Sequence, residues 1–284
     1  MDMTIEKRGS PKGAEGPASS PMEKPGGGMS EATYEENGKL LEKYTVRDDV
    51  LDGEGLTYDE EGRLIKRSHF KDGNLDGEAI TYDIEGRINE KANFIGGKLE
   101  GDVISYDDRG RIIQKSQFKN GLLHGEMSLY DDGRLLTKMD YQDGLLEGKG
   151  ISYHETGEVM GTCHYQGGRL NGESVWDDKE GRLLFKANYR DNKLDGERTE
   201  YYPSGKIREK ALYGNNLLEG ELIKYYENEK VKEKAFFNEG KQYGGILEYE
   251  EDGSIKQKGG KEAVPEKQKE KGSKGFLGFG RDTG

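Results

Sequence analysis

The amino-acid sequence predicts an all-β fold, an elongated single-layer antiparallel β-meander built from stacked β-hairpins of about 24 residues each. A Leu-x-Gly pattern, usually followed by an acidic residue, returns every 24 residues with a single step of 23. Short alternating apolar and polar runs lie between these repeat glycines, as is typical of strands joined by turns. The repeat glycines are Gly53, Gly77, Gly101, Gly125, Gly148, Gly172, Gly196 and Gly220.

Composition limits the class of protein. Of the 284 residues, 31% are hydrophobic and 35% are charged, which predicts a thin sheet wetted on at least one face in place of a thick core. The formal net charge of −12 argues against nucleic acid, whose phosphates need clustered Lys and Arg. It also disfavours anionic membranes and permits a basic protein partner.

The chain divides into three parts by composition. We expect a disordered N-terminal tail over residues 1–33, a β-hairpin repeat array over 34–258, and a disordered C-terminal tail over 259–284. Met29 begins a short string just before the array, and one hypothesis makes it the true start of the protein. Phe276 and Phe279 are either a short docking motif or incidental residues of a solvated tail.

Targeting and redox features point to the cytoplasm. No apolar run resembles a signal peptide, and no stretch approaches the roughly 20 apolar residues of a membrane helix. Cys163 is the single cysteine, so no intramolecular disulfide can form.

Turn chemistry predicts the register of each hairpin. A three-residue loop at 60–62, ending on glycine, pairs Tyr58 with Leu64. The one 23-residue unit has Asp-Gly at 132–133, a favoured two-residue loop, which pairs Tyr130 with the corresponding leucine. The deletion therefore exchanges two permitted loops and leaves the register unchanged.

A bulge is also predicted. A two-residue loop pairs Phe70 with Leu75, but Leu75 and Tyr82 have opposite parity, so we expect a bulge at Gly77. Two aromatic columns then lie on one face of the sheet, with small residues between them. The first column is the candidate partner-binding face: Tyr58, Tyr82, Tyr106, Tyr130, Tyr153, Trp176, Tyr201, Tyr225 and Tyr249. The second is Phe70, Phe94, Phe118, Tyr141, Tyr165, Tyr189, Tyr213 and Phe237.

These columns allow two interpretations. They are either only the core of the sheet or, because a single layer leaves its face uncovered, they include exposed tyrosines that contact a partner. Columns of acidic and basic residues run beside them, and we expect these to form cross-strand pairs worth a few tenths of a kcal/mol each.

The unit from Leu194 to Tyr213, with Gly196, Tyr201 and Gly205 in order, resembles the variant MORN repeat. Arrays of this repeat occur in bacterial proteins of the YwqK family of toxin–antitoxin antitoxins, and the units also look like the YD repeats of large secreted shells. The resemblance implies a binding protein that neutralises a toxin, or a membrane-associated lipid-binding or assembly scaffold. The chain departs from the pattern at Glu229, Gln242 and Trp176.

Catalytic and metal-binding patterns are not evident. His69, His124, His154 and His164 are interpreted as variable, solvated positions in different slots of their units. Cys163 is adjacent to His164 in a strand, so the two side chains point to opposite faces. Metal-ligand spacing such as Cys-x-x-Cys is missing. We therefore expect no enzyme activity, no cofactor and no metal, and a scaffold for protein–protein interaction.

Overall fold

The computed structural model describes residues 28–256, which form 21 strands and contain no helix. The chain divides into two compact units, Met1–Gly157 and Glu158–Gly284. The first contains β1 (Met29–Glu36), β2 (Lys39–Arg47), β3 (Val50–Tyr58), β4 (Leu64–Lys71), β5 (Asn74–Tyr82), β6 (Ile88–Ile95), β7 (Lys98–Leu99), β8 (Gly101–Tyr106), β9 (Ile112–Lys119), β10 (Leu122–Asp131), β11 (Arg134–Gln142) and β12 (Leu145–Tyr153). The second contains β13 (Val159–Gln166), β14 (Arg169–Leu170), β15 (Gly172–Asp177), β16 (Leu183–Arg190), β17 (Lys193–Tyr201), β18 (Ile207–Gly214), β19 (Leu217–Tyr225), β20 (Val231–Asn238) and β21 (Lys241–Glu248).

Each unit is an antiparallel meander in which strands pair with their neighbours along the chain. The predicted all-β hairpin fold is confirmed. The strands begin earlier than the expected residue 34, because β1 starts at Met29. In this first hairpin Glu35, which pairs with Leu40, takes the slot of the first aromatic column, and Tyr34 pairs with Glu42. Residues 1–27 and 257–284, which include most of the expected N-terminal tail and all of the expected C-terminal tail, lie outside the described residues.

The three-residue turns have the predicted register. Tyr58 pairs with Leu64, and the Gly62 N–H donates to the Asp59 carbonyl oxygen at 2.9 Å. Gly62 has a φ of 81°, which a side chain would strain. In the shorter unit Tyr130 pairs with Leu135, as predicted. The loop is one residue shorter, but the side chains of the following strand keep the same sides of the sheet.

An Asp-x-x-Gly-Arg sequence holds several of these turns. The Asp59 Oδ1 accepts hydrogen bonds from the N–H groups of Glu61 and Arg63 at 3.0 and 2.9 Å, and its Oδ2 accepts from Arg63 Nε at 2.7 Å. The Arg63 backbone N–H and guanidinium together hold the pKa of the Asp59 carboxyl below its usual value. The same arrangement joins Asp83 to Arg87, Asp107 to Arg111, and Asp178 to Arg182.

The bulge lies where it was predicted but contains two extra residues. Ser68 pairs with Ala79 and Phe70 with Leu75, so His69 faces the three residues 76–78. Because an even number of residues is inserted, the alternation of sides is unchanged and the two aromatic columns lie on opposite faces. The prediction of one shared aromatic face was therefore wrong. We call the two sides the tyrosine face, which carries Tyr58 and its equivalents, and the phenylalanine face, which carries Phe70 and its equivalents.

Residues opposite the bulge satisfy its backbone. His69 Nδ1 lies 3.4 Å from the Glu78 carbonyl oxygen, and His164 Nδ1 lies 3.0 Å from the Glu173 carbonyl oxygen. Asn188 occupies the same slot and donates to the equivalent carbonyl. His69 and His164 thus share one structural slot, contrary to the expectation that all four histidines differ.

Small residues form the buried centre of the phenylalanine face. Close packing beside the rings leaves no room for larger side chains in a sheet one layer thick. The buried members are Ser68, Ala79, Ala92, Val103, Ser116, Ser174, Ala187, Ala211 and Ala235.

A ladder of hydrogen bonds joins seven of the two-residue turns to the repeat before them. The Gly97 N–H donates to the Leu75 carbonyl oxygen at 2.8 Å, and Asp76 Oδ2 accepts from the Gly96 N–H at 3.0 Å. The leucine of Leu-x-Gly thus supplies a backbone acceptor to the next turn. Equivalent bonds run from Gly73 to Leu51, Gly121 to Leu99, Gly144 to Leu123, Asn192 to Leu170, Asn216 to Leu194 and Gly240 to Leu218.

Candidate partner-binding face

The tyrosines of the first column occupy one recurring position at the end of the first strand of each hairpin. Seven of the eight tyrosines pair with an aliphatic residue near the start of the second strand, and all eight are half-buried. Recorded pairs are Tyr58 with Leu64, Tyr82 with Ile88, Tyr106 with Ile112, Tyr130 with Leu135, Tyr201 with Ile207, Tyr225 with Val231, and Tyr249 with Ile255. Tyr153 ends β12 and is also half-buried.

Trp176 does not belong to this column. It pairs with Phe185, whose ring stacks on the indole at 6.2 Å, and Asp177 takes the tyrosine slot by pairing with Leu183. A displacement by one residue moves a side chain to the other side of a strand. Trp176 therefore lies on the phenylalanine face of the second compact unit. It does not belong to the candidate partner-binding face, where the sequence prediction placed it.

The predicted charge columns lie on the tyrosine face and form ion pairs. Leu56, two residues from Tyr58 on β3, pairs with Arg67, which places the basic column on this side. The contacts join Arg67 to Glu78 at 3.4 Å, Lys115 to Asp102 at 3.0 Å, Lys138 to Glu126 at 3.0 Å, Lys210 to Glu197 at 3.2 Å and Lys234 to Glu221 at 4.0 Å. Because these pairs are exposed, solvent screens them and each contributes little to stability.

One of these carboxylates shows how the charges are held. The Ser128 hydroxyl donates to Glu126 at 2.7 Å, and with the Lys138 ammonium it lowers the pKa of the Glu126 carboxyl. Glu126 in turn raises the pKa of Lys138. The pair therefore stays ionised and leaves little net charge beside the tyrosine rings.

The arrangement suits contact with another macromolecule. Neighbouring tyrosines within a unit are two strands apart, which corresponds to about 10 Å. Their rings are amphipathic and stiff, so they contribute contact area at a small entropy cost. No second layer covers this face in either unit over residues 28–256.

Other kinds of site were sought in the same residues. Within 28–256, no group of three or more His, Cys, Asp or Glu side chains is placed to hold a metal ion. The part of the chain that the structure describes also has no helix with the length and apolarity needed to cross a membrane. A groove of about 300 Å³ lies on the phenylalanine face of the first unit, between Phe94, Leu99 and Phe118.

Five segments of the chain match the family model described as MORN repeat variant: residues 51–72, 99–120, 146–166, 194–215 and 218–239. The first covers most of β3 and all of β4, and so corresponds to one hairpin. These five segments therefore match the variant MORN repeat, as the sequence resemblance predicted. No curated protein matches it.

Several solved structures resemble the chain weakly. It is 13% identical to a chain of the GtfA/B complex bound to UDP and GlcNAc, over 41% of this chain and 23% of that one, with a TM-score of 0.20. It is 12% identical to a chain of TcdB2-TccC3, over 74% of this chain and 14% of that one, with a TM-score of 0.19. It is also 12% identical to a chain of the Photorhabdus luminescens Tc holotoxin pore, over 79% of this chain and 17% of that one, with a TM-score of 0.16. The chain spans less than a quarter of these proteins, and such TM-scores support no conclusion about activity.

Proposed function

We propose that this chain is a non-enzymatic protein–protein interaction scaffold that binds a partner along its tyrosine face. The observation that carries the proposal is the row of half-buried tyrosines on an uncovered face, with one ring in the same slot of successive hairpins. Tyrosine is among the residues that most often dominate binding energy at interfaces. Variant MORN repeats are consistent with this role.

The proposed partner is a basic protein, specifically a toxin that this chain neutralises as an antitoxin or immunity protein in the cytoplasm. The net charge of −12 supports a basic partner, because long-range attraction speeds association and excludes acidic competitors. The antitoxin role follows from the sequence resemblance alone and is tested separately from the binding face.

A photo-crosslinking experiment tests the face. A benzophenone amino acid replaces Tyr82 in one variant and Phe94 in its matched control, since both rings are half-buried and lie on adjacent strands but on opposite faces. Irradiation in a lysate of the source cell is expected to give a protein adduct at position 82 and little at 94. Equal adducts at both positions, or adducts only at 94, would contradict the proposal.

Two further readouts separate the partner classes. Co-expression of this chain with a crosslinked partner that arrests growth is expected to restore growth if the partner is a toxin. The alternative role, a membrane-associated lipid-binding or assembly scaffold, predicts sedimentation with anionic vesicles in place of a protein adduct. The net negative charge disfavours that result.

A further inference from the structure

The hairpins follow a pairing rule between their two strands. In seven hairpins the repeat glycine of the first strand lies opposite an aromatic residue of the second. These pairs are Gly53–Phe70, Gly77–Phe94, Gly101–Phe118, Gly125–Tyr141, Gly172–Tyr189, Gly196–Tyr213 and Gly220–Phe237. In six of the seven second strands, a small residue lies two positions before the aromatic residue. In all seven, the residue three positions before the aromatic one is Lys or Arg.

Strand β21 is a first strand whose second strand is missing from the described residues. Gly244 follows Gly220 by 24 residues and has a φ of 71°, close to the 75° of Gly220. Within residues 28–256, the outer side of 241–247 pairs with no strand. Pairing resumes at Glu248, whose carbonyl oxygen accepts from the Lys256 N–H at 2.9 Å, and at Tyr249, which forms an isolated bridge with Ile255.

The outer edge of β21 carries exposed apolar side chains. Residues 241–246 are all exposed, including Tyr243 at 45% and Ile246 at 38%. The corresponding part of β19 is mostly half-buried, because β20 covers its side. Unprotected edges of this kind are the usual templates for adding a strand.

The sequence that follows does not supply the missing ring. By the 24-residue period, Ala235 and Phe237 correspond to Gly259 and Lys261. These two positions lie outside the described residues. In the sequence, a lysine therefore stands at the repeat position where the second strands β4, β6, β9, β11, β16, β18 and β20 have a phenylalanine or tyrosine.

We propose that the outer edge of β21 accepts one extended β-strand from a partner protein. The strand is basic and carries a small residue two positions before an aromatic one. Its ring lies against Gly244 and its small residue opposite Ile246, as in the interior hairpins, and backbone hydrogen bonds add it to the sheet. The net charge of −12 favours a basic strand. This edge is separate from the tyrosine face, so neither proposal depends on the other.

A peptide taken from the array tests the edge directly. The sequence of β4, Leu64–Lys71, is basic and carries Ser68 and Phe70 at the required spacing. Labelled with a fluorophore, it is titrated against the full chain and followed by anisotropy. The control peptide carries Phe70→Lys, which is more basic. Strand addition predicts binding at least about tenfold weaker for the control, because a buried ring is lost. Non-specific charge attraction predicts tighter binding.

Hydrogen exchange locates the bound peptide. Protection is expected to rise at Tyr243, Gly244 and Ile246 and to stay unchanged on interior strands. No detectable binding of the β4 peptide, equal binding of the two peptides, or new protection away from β21 would overturn the proposal.

A variant of the full chain supplies the second test. Gly259→Ala combined with Lys261→Phe restores the pattern of an interior second strand. The variant is expected to protect β21 from exchange by itself and to lose binding of the β4 peptide. Unchanged peptide binding to a variant whose β21 has become protected would also overturn the proposal.

Discussion

Gly161→Ala should destabilise the second unit, because the position beneath the indole of Trp176 is filled. An added Cβ would lie 2.6 Å from Cε3 and 2.7 Å from Cδ2 of Trp176, distances that real Cβ atoms almost never show, and 3.0 Å from Cζ3. The backbone of Gly161 has no positive φ, so the cost comes from the clash alone. The indole is backed by the Phe185 ring, stacked at an interplanar angle of 19°.

The expected loss is about 1–3 kcal/mol, the usual range for overpacking a core. Gly214→Ala is the matched control in the same unit, since its Cβ would meet nothing within 4 Å and its φ is also not positive. The control is expected to be neutral or up to about 1 kcal/mol more stable, because alanine restricts the unfolded chain.

Urea unfolding followed by tryptophan fluorescence measures the effect, since Trp176 is the single tryptophan of the chain. A local probe is appropriate because repeat arrays need not unfold in one step. In a Trp176→Ala background, followed by circular dichroism, the cost of Gly161→Ala should disappear. The reasoning is refuted if Gly161→Ala and Gly214→Ala unfold at the same urea concentration, or if the cost persists without the indole.

Three further predictions concern turns and charges. Glu229→Gly should increase the free energy of unfolding by about 1 kcal/mol and so raise the urea midpoint, because Glu229 is held at a φ of 67° that glycine adopts without strain. A lower midpoint would contradict this. Asn216→Ala should cost about 2 kcal/mol, because Asn216 Oδ1 accepts from the Leu194 N–H at 2.6 Å and alanine resists the φ of 71°; an unchanged midpoint would count against the turn ladder. The lowered pKa of the carboxyls of Asp59 and Asp107 gives stability that is present above their unfolded pKa and lost as pH falls through the folded one. The thermal unfolding midpoint should therefore decrease as the pH is lowered below about 4, and this decrease should be smaller in the Asp59→Asn variant.

The turns were predictable from the sequence because their chemistry is local. Glycine at position 62 and Asp-Gly at 132–133 each specify a loop, and each loop specifies which residues pair. The pairing of Tyr58 with Leu64 follows directly. The clamp of Asp59 by Arg63 was also visible as a repeated Asp-x-x-Gly-Arg sequence, although its role emerges only from the hydrogen bonds.

The faces were not predictable, because they depend on how many residues a bulge inserts. Parity required a bulge near Gly77, but one extra residue would merge the aromatic columns and two keep them apart. The polar side chain opposite the bulge was the available signal, since His69 Nδ1 lies within reach of the Glu78 carbonyl oxygen in the bulge. Trp176 was assigned to the tyrosine column because it is aromatic and only one residue out of step. The alternation of side chains along a strand places it on the opposite face.

The ladder between turns has a consequence for how such a protein changes length. Each turn is fastened to a leucine carbonyl one repeat earlier, as Gly97 is to Leu75. Excising a block of 24 residues between equivalent positions brings a new turn against an equivalent carbonyl, and the same bond re-forms. Whole modules can therefore be duplicated or deleted while every remaining junction stays satisfied, so the number of copies is free to follow the size of what is bound.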